Sequence, residues 1–335
     1  MDLGFLTMPK PLQRPHPPFV VTAVASFSQG VTEAARRYAT DPDSPYRFCY
    51  NQLLSFRGET GGQYSGTTRR GDAMSRVRAG AATLNAEVEG PDDGPWLVLS
   101  NSLGANLDMW APQMRLLTRK YRVLRYDTRG HGQSDAPAGA YSFDRLIGDV
   151  LGLMDAKSIH KASFMGLSMG GITGLGLALD QAHRFDRIIC ADARADAPDA
   201  YRAMWDERIA KVESGGLEAV VDGTLASWMT EDWHADNPDA SADIRRMVLG
   251  NDPQGYINCC LGLKELDYLC RLGEVRIPVL YVGGDKDLGA APAVMQAMAD
   301  ATPGAEYVQV ANAAHVANIN RPDAFNAAIA GFLGL

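Results

Sequence analysis

Ser168 stands between two glycines in Gly166-Leu167-Ser168-Met169-Gly170, and Asp287 and His315 follow it far downstream. A serine hydroxyl is a poor nucleophile at neutral pH. It becomes useful when an imidazole takes its proton during attack, and that imidazole needs a carboxylate to hold its other N–H. Serine, acid and histidine together could therefore carry acyl transfer. Each has an ordinary reading when taken alone. Gly-x-Ser-x-Gly arises by chance in many chains, His315 could be any loop histidine, and Asp287 could cap a turn or helix. A dinucleotide-binding turn would need glycine where Ser168 stands.

The elements around these residues favour the joint reading. Ala162–Leu167 is an apolar run that reads as a strand, and a Gly/Ala/Leu-rich helix starts at Met169. Ser168 then sits on the sharp turn between them, and the glycines let strand and helix approach closely. The first N–H groups of the new helix are left without intrahelical acceptors. One of them, on Met169, is placed to meet the oxyanion formed by attack. The second donor is expected from the small-residue loop Asn101-Ser102-Leu103-Gly104, where Leu103 is best placed. The strand Val279–Val282 ends in Gly283-Gly284-Asp285-Lys286-Asp287, and the strand Glu306–Val310 is followed by Ala311-Asn312-Ala313-Ala314-His315. Both candidates lie just past carboxyl ends of strands, where an open parallel sheet places its site. Position alone does not separate Asp285 from Asp287. Asp127 and His131, in Asp127-Thr128-Arg129-Gly130-His131-Gly132, read as a structural turn near the site.

The spacing of apolar residues predicts an α/β fold. Ala82–Glu89 alternates like an antiparallel edge strand. Strands follow at Pro95–Ser100, Tyr121–Tyr126, Phe185–Ala191 and Pro278–Gly283. Leu146, Ile147, Val150, Leu151 and Met154 repeat at helical spacing between Ser142 and about Ala156, and further helices are expected over Pro292–Ala301 and Asp323–Leu335. Alternating strands and helices imply a mostly parallel, doubly wound sheet covered on both faces. The alternation breaks over about residues 197–273, which read as a helical lid holding Trp205, Trp228 and Trp233. Residues 74–335 are a natural size for one domain. Residues 1–73 are rich in proline and then in Gly, Ser, Thr and Arg. They read as a disordered or loosely attached extension with a turn or two of helix at Thr32–Tyr38, and a gene start placed too far upstream is an alternative.

Of 335 residues, 46% are hydrophobic and 21% charged, with a net charge of −8 and five cysteines. No basic stripe invites nucleic acid, no polybasic or spanning segment invites a membrane, and no signal peptide pattern opens the chain. The odd cysteine count, without a C-x-x-C pair, argues against a disulfide framework or zinc site and for reduced thiols in the cytoplasm. The expected partner is a small molecule. The oligomeric state has no sequence signature here.

Serine, acid and histidine come in the chain order of the α/β-hydrolase triad. More specifically, three stretches resemble the 3-oxoadipate enol-lactonases, α/β-hydrolases of the β-ketoadipate branch of aromatic catabolism. They are Ser102-Leu103-Gly104 with Met109-Trp110, Arg125 through Gly132, and Gly166 through Gly171. Tyr256 through Cys259-Cys260, and Ala314-His315 with Asn318, add to the likeness, which spans roughly residues 74–335. Resemblance to the Gly-x-x-Asp pattern of such hydrolases selects Asp287 within Gly284-Asp285-Lys286-Asp287. The resemblance implies ring opening of an enol-lactone by Ser168, hydrolysis of the acyl-enzyme through His315, and no metal or organic cofactor. A substrate of that kind carries a free carboxylate, so a cation should line the pocket. Arg208, Arg245 and Arg246 are candidates, with Trp205 and Trp228 as apolar wall. Trp205 and Arg208 rank first because i, i+3 spacing puts them on one helix face. Carboxylesterase, carbon–carbon bond hydrolase and perhydrolase activities share such a triad, and a non-catalytic ligand-binding protein could share the fold.

Overall fold

The buried apolar strands of the described residues lie at the centre of one sheet. A computed structural model describes residues 75–335. The expectations for residues 1–73, and for Cys49, lie outside the described residues. Strands β3 (Trp96–Ser100), β4 (Arg122–Tyr126), β5 (Ala162–Leu167), β6 (Phe185–Ala191) and β7 (Val279–Gly284) pair in parallel, with β8 (Glu306–Val310) at the far edge. The spatial order is β1-β2-β4-β3-β5-β6-β7-β8. Side chains alternate between two cores, as strand geometry requires. Val98, Phe164, Ile188 and Tyr281 face one core with helices α2 (Phe143–Ala156), α3 (Met169–Asp180) and α9 (Pro292–Ala301). Leu97, Leu99, Met165, Ile189 and Leu280 face the other, with α1 (Ala111–Leu117) and α11 (Pro322–Leu333).

One strand placement differs from expectation. The alternating stretch β2 (Ala82–Glu89) is not the edge. It lies between β4 and a further strand, β1 (Ser75–Ala79), and is antiparallel to both. β1 is short and carries Arg76 and Arg78 on its more exposed positions. Charge on a short strand disguises it in sequence and also protects the sheet edge from further pairing.

Between β6 and β7 the chain leaves the sheet and forms α4 (Asp199–Gly215), α5 (Glu218–Trp228), α6 (Glu231–Asp236), α7 (Pro238–Leu249) and α8 (Pro253–Lys264). An isolated antiparallel bridge between Asp196 and Asp267 closes the base of this insertion. Its Val212 and Val220 join the first core, and its Val221, Leu225 and Val248 the second. A four-residue helix, α10 (Ala317–Asn320), follows the loop after β8. Among the described residues, no helix is long and apolar enough to cross a membrane.

Candidate active site

The turn between β5 and α3 is tight because its neighbours have no side chains. A Cβ on Gly166 would lie 2.1 Å from the Gly170 carbonyl oxygen, and one on Gly170 would lie 2.3 Å from that of Ser100. Ser168 takes φ 55°, ψ −117°, a strained conformation for a residue with a side chain. Backbone bonds hold it there, with Ser168 N–H on the Ala191 carbonyl (2.8 Å) and Gly170 N–H on that of Asn101 (3.0 Å).

The three chemistry-bearing side chains meet at the carboxyl edge of the sheet. Ser168 Oγ lies 2.9 Å from His315 Nε2, and His315 Nδ1 lies 2.8 Å from Asp287 Oδ2. With the proton on Nδ1, the imidazole donates to the carboxylate and accepts from the serine. The other carboxylate oxygen, Asp287 Oδ1, accepts the N–H groups of Gly289 (2.7 Å) and Ala290 (3.0 Å). Asp285 follows the same strand but does not reach His315; its Oδ1 is buried without a hydrogen-bond partner among the described residues, and Lys286 Nζ lies 3.6 Å from its Oδ2.

Opposing effects set the protonation of this group. Burial pushes the His315 imidazole down, but the charge and hydrogen bond of Asp287 outweigh it, and the net shift is upward. Burial pushes Asp287 up, while His315 and the two backbone N–H groups bring it below the ordinary carboxylate range. A third carboxylate was not singled out in the sequence. Asp192, fully buried and with φ 43°, accepts the N–H of Gly284 (2.8 Å) and of Ala317 (3.3 Å). It thereby ties the start of the Asp287 turn to the end of the His315 loop. Burial and then the charge of Asp287 raise its pKa well above the usual range. The available signal was its position, directly past the carboxyl end of β6.

Among the described residues, neither expected oxyanion donor has an acceptor. Met169 N–H is the first of α3, which leaves it without an intrahelical acceptor. In the loop after β3, Ser102 N–H meets Met109 Sδ (3.3 Å), Gly104 N–H meets His131 Nε2 (2.9 Å) and Ala105 N–H meets the Ser102 carbonyl (3.1 Å). Leu103 N–H, between them, finds no acceptor among the described residues. Asp127 spends both oxygens on its own neighbourhood, accepting Leu107 N–H (2.8 Å), Gln133 N–H (2.9 Å) and Asn85 Nδ2 (2.9 Å).

A cavity of about 270 Å³ opens over Ser168 and His315, walled by Leu103, Ile172, Trp205 and Trp228. Arg208 reaches it and donates to the hydroxyls of Tyr256 (2.6 Å) and Thr224. Burial pushes the Tyr256 phenol up, so this partner stays neutral. Arg208 therefore has no carboxylate partner among the described residues. Its guanidinium also lies 5.8 Å from the centroids of the Trp205 and Tyr256 rings. Arg194, missed in the sequence reading, lines the same cavity but is paired with Asp196 at 2.9 Å. Arg245 and Arg246 pair with Asp222 and Asp243 and do not line it. A second hollow of about 420 Å³ shares Leu288 with this cavity and is lined by none of Ser168, His315 or Asp287.

Comparison with known proteins gives a consistent picture. The family model described as alpha/beta hydrolase fold matches residues 95–322. The chain is 36% identical over 251 residues to 3-oxoadipate enol-lactonase 2 of Acinetobacter baylyi, which covers 73% of this chain and 91% of that one. It is 30% identical over 258 residues to RutD of Agrobacterium fabrum, named as a candidate carbamate hydrolase, covering 75% and 98%. The crystal structure of the enol-lactonase from Burkholderia xenovorans LB400 superposes with a TM-score of 0.74 at 39% identity, over 78% of this chain and all of that one. The resemblance read in the sequence to 3-oxoadipate enol-lactonases is thus present across most of the chain.

Proposed function

The chain belongs to the α/β-hydrolase family and is a hydrolase, and on that premise we propose that it opens the lactone ring of 3-oxoadipate enol-lactone. Ser168 Oγ attacks the lactone carbonyl carbon while His315 Nε2 takes its proton. Asp287 holds the imidazole's orientation and offsets its charge. The N–H groups of Met169 and Leu103 receive the developing oxyanion. The ring C–O bond breaks, His315 returns the proton, and the released enol collapses to a ketone. Water, deprotonated by His315, then cleaves the acyl-enzyme and frees a second carboxylate.

The observation that carries the substrate class is Arg208. A guanidinium lining the cavity, whose hydrogen-bond partners among the described residues are neutral hydroxyls, is a cation awaiting an anion. The free carboxylate of the enol-lactone supplies one. We read helices α4–α8 as the cover that selects the substrate, with Trp205 and Trp228 as its apolar wall.

The test is a spectrophotometric assay on enzymatically generated 3-oxoadipate enol-lactone, beside a p-nitrophenyl ester and a ring-cleavage dienone. The enol-lactone should have the highest kcat/KM, and Ser168→Ala should lose turnover by on the order of 10⁵-fold or more. Equal rates on all three substrates would refute the substrate. Full activity in Ser168→Ala would refute the mechanism. A wild-type protein that binds all three and turns over none would be a ligand receptor on a hydrolase fold.

A further inference from the structure

Gly104 follows the expected oxyanion donor Leu103, and both ends of its backbone are held from outside the loop. Its N–H donates to His131 Nε2 at 2.9 Å. Its carbonyl accepts Asn251 Nδ2 at 2.7 Å. The turn that contains it closes with Ala105 N–H on the Ser102 carbonyl at 3.1 Å, and Gly104 takes φ +88°. That is the left-handed third position of a turn whose central peptide has two available orientations. A Cβ there would lie in ordinary contact with the Tyr256 and Trp228 rings, at 3.4 and 3.7 Å, so the positive φ is what favours glycine.

We propose that His131 and Asn251 are positioning residues that clamp the Gly104 peptide groups and so keep the Leu103 N–H aimed at the developing oxyanion. This rests on the serine hydrolase reading given above. His131 is suited to the task. It is fully buried, and its Nδ1 meets the Arg129 carbonyl at 3.1 Å, which assigns the proton to Nδ1 and leaves Nε2 as acceptor. Burial lowers its pKa to about 4, so the ring stays neutral where a hydrolase works. Asn251 is suited in a different way. It stands between α7 and α8, accepts Gly132 N–H at 2.9 Å through Oδ1, and spans from the helical insertion to both loops. The donor is thus held in place before substrate arrives, which is where catalytic value lies, since no reorganisation is then needed as charge develops.

His131→Asn keeps a donor for the Arg129 carbonyl and removes the acceptor for Gly104, whereas His131→Gln carries an acceptor oxygen close to the lost Nε2. With p-nitrophenyl acetate, His131→Asn should lower kcat by ~10–100-fold with little change in KM, because a donor misplaced by a fraction of an ångström loses transition-state binding only. Affinity for phenylboronic acid, whose tetrahedral adduct on Ser168 carries the charge, should fall by a similar factor. His131→Gln should recover most of both losses. Asn251→Ala, which frees the carbonyl end, should act in the same direction and serves if His131→Asn does not fold. Wild-type boronate affinity in a folded His131→Asn or Asn251→Ala protein would overturn the proposal, even if kcat fell. Ser168→Ala run alongside separates the two readings. Activity surviving there refutes the serine mechanism, while its loss with both clamp variants unaffected refutes only the clamp.

Discussion

The loops at the carboxyl edge of the sheet and the helical insertion build one cavity by different physical means. At the sheet edge the candidate groups are set by turns and by hydrogen bonds to backbone amides. Ser168 is held by a strained turn between two glycines, Asp287 by two N–H groups on its spare oxygen, and the loop of Leu103 by bonds to each neighbouring amide. In the insertion the functional groups come from side chains on different helices. Arg208 leaves α4, Thr224 leaves α5 and Tyr256 leaves α8, and they meet only because those helices pack. A site fixed by backbone tolerates little substitution and performs one chemistry. A wall of packed helix faces can be re-lined without disturbing that chemistry, which is how one triad serves many substrates.

The largest effect expected from this contrast lies within a single turn. Asp287→Asn should lower kcat by ~10⁴-fold by upsetting the imidazole tautomer, while Asp285→Asn, two residues away, should change it by less than about threefold. Equal losses in steady-state assays would erase the distinction between the acid and its neighbour. A smaller and more selective effect belongs to the insertion. Arg208→Gln should reduce kcat/KM for the carboxylate-bearing lactone by ~10–100-fold, the worth of one charge-assisted hydrogen bond, and leave a neutral p-nitrophenyl ester nearly unchanged. Equal losses on both substrates would make Arg208 part of the scaffold instead.

The smallest effect couples the two regions. His315 must be neutral to accept the serine proton, and its pKa is raised above the ordinary imidazole value. Activity should therefore fall as pH drops through a value higher than ~6.5, where an exposed histidine would titrate. The charge of Arg208 works against that rise, so Arg208→Gln should move the acid limb of the kcat/KM profile further up. A limb unmoved or shifted down would show that the insertion does not reach the base electrostatically.

The same contrast explains what could be read before any coordinates. Ser168 follows an apolar strand directly, and Asp287 and His315 lie in the loops just past the carboxyl ends of β7 and β8, so local pattern and chain order pointed to those loops, while resemblance separated Asp287 from Asp285. β1 escaped notice because two arginines in five residues mask its pairing. Asp192 escaped because nothing in its own stretch names a partner; its partners are the N–H groups of Gly284 and Ala317, about a hundred residues away. Arg208 ranked first of three arginine candidates by its i, i+3 spacing from Trp205; the pairing of Arg246 with Asp243 has the same local spacing, whereas that of Arg245 with Asp222 joins two different helices and only their packing sets it.

By itself the sequence determined the strand–turn–helix at Ser168, the alternating order of the sheet and the chemical types available along its edge. These follow from interactions between residues close in the chain: steric limits on a turn, side-chain periodicity and unpaired N–H groups at a helix start. The tertiary structure decided which carboxylate faces His315, which arginine faces the cavity with no carboxylate partner among the described residues, and that a histidine after β4 and an asparagine of the insertion grip the loop after β3. Those outcomes depend on ångström-scale distances between segments distant in sequence, and only the packed chain sets them.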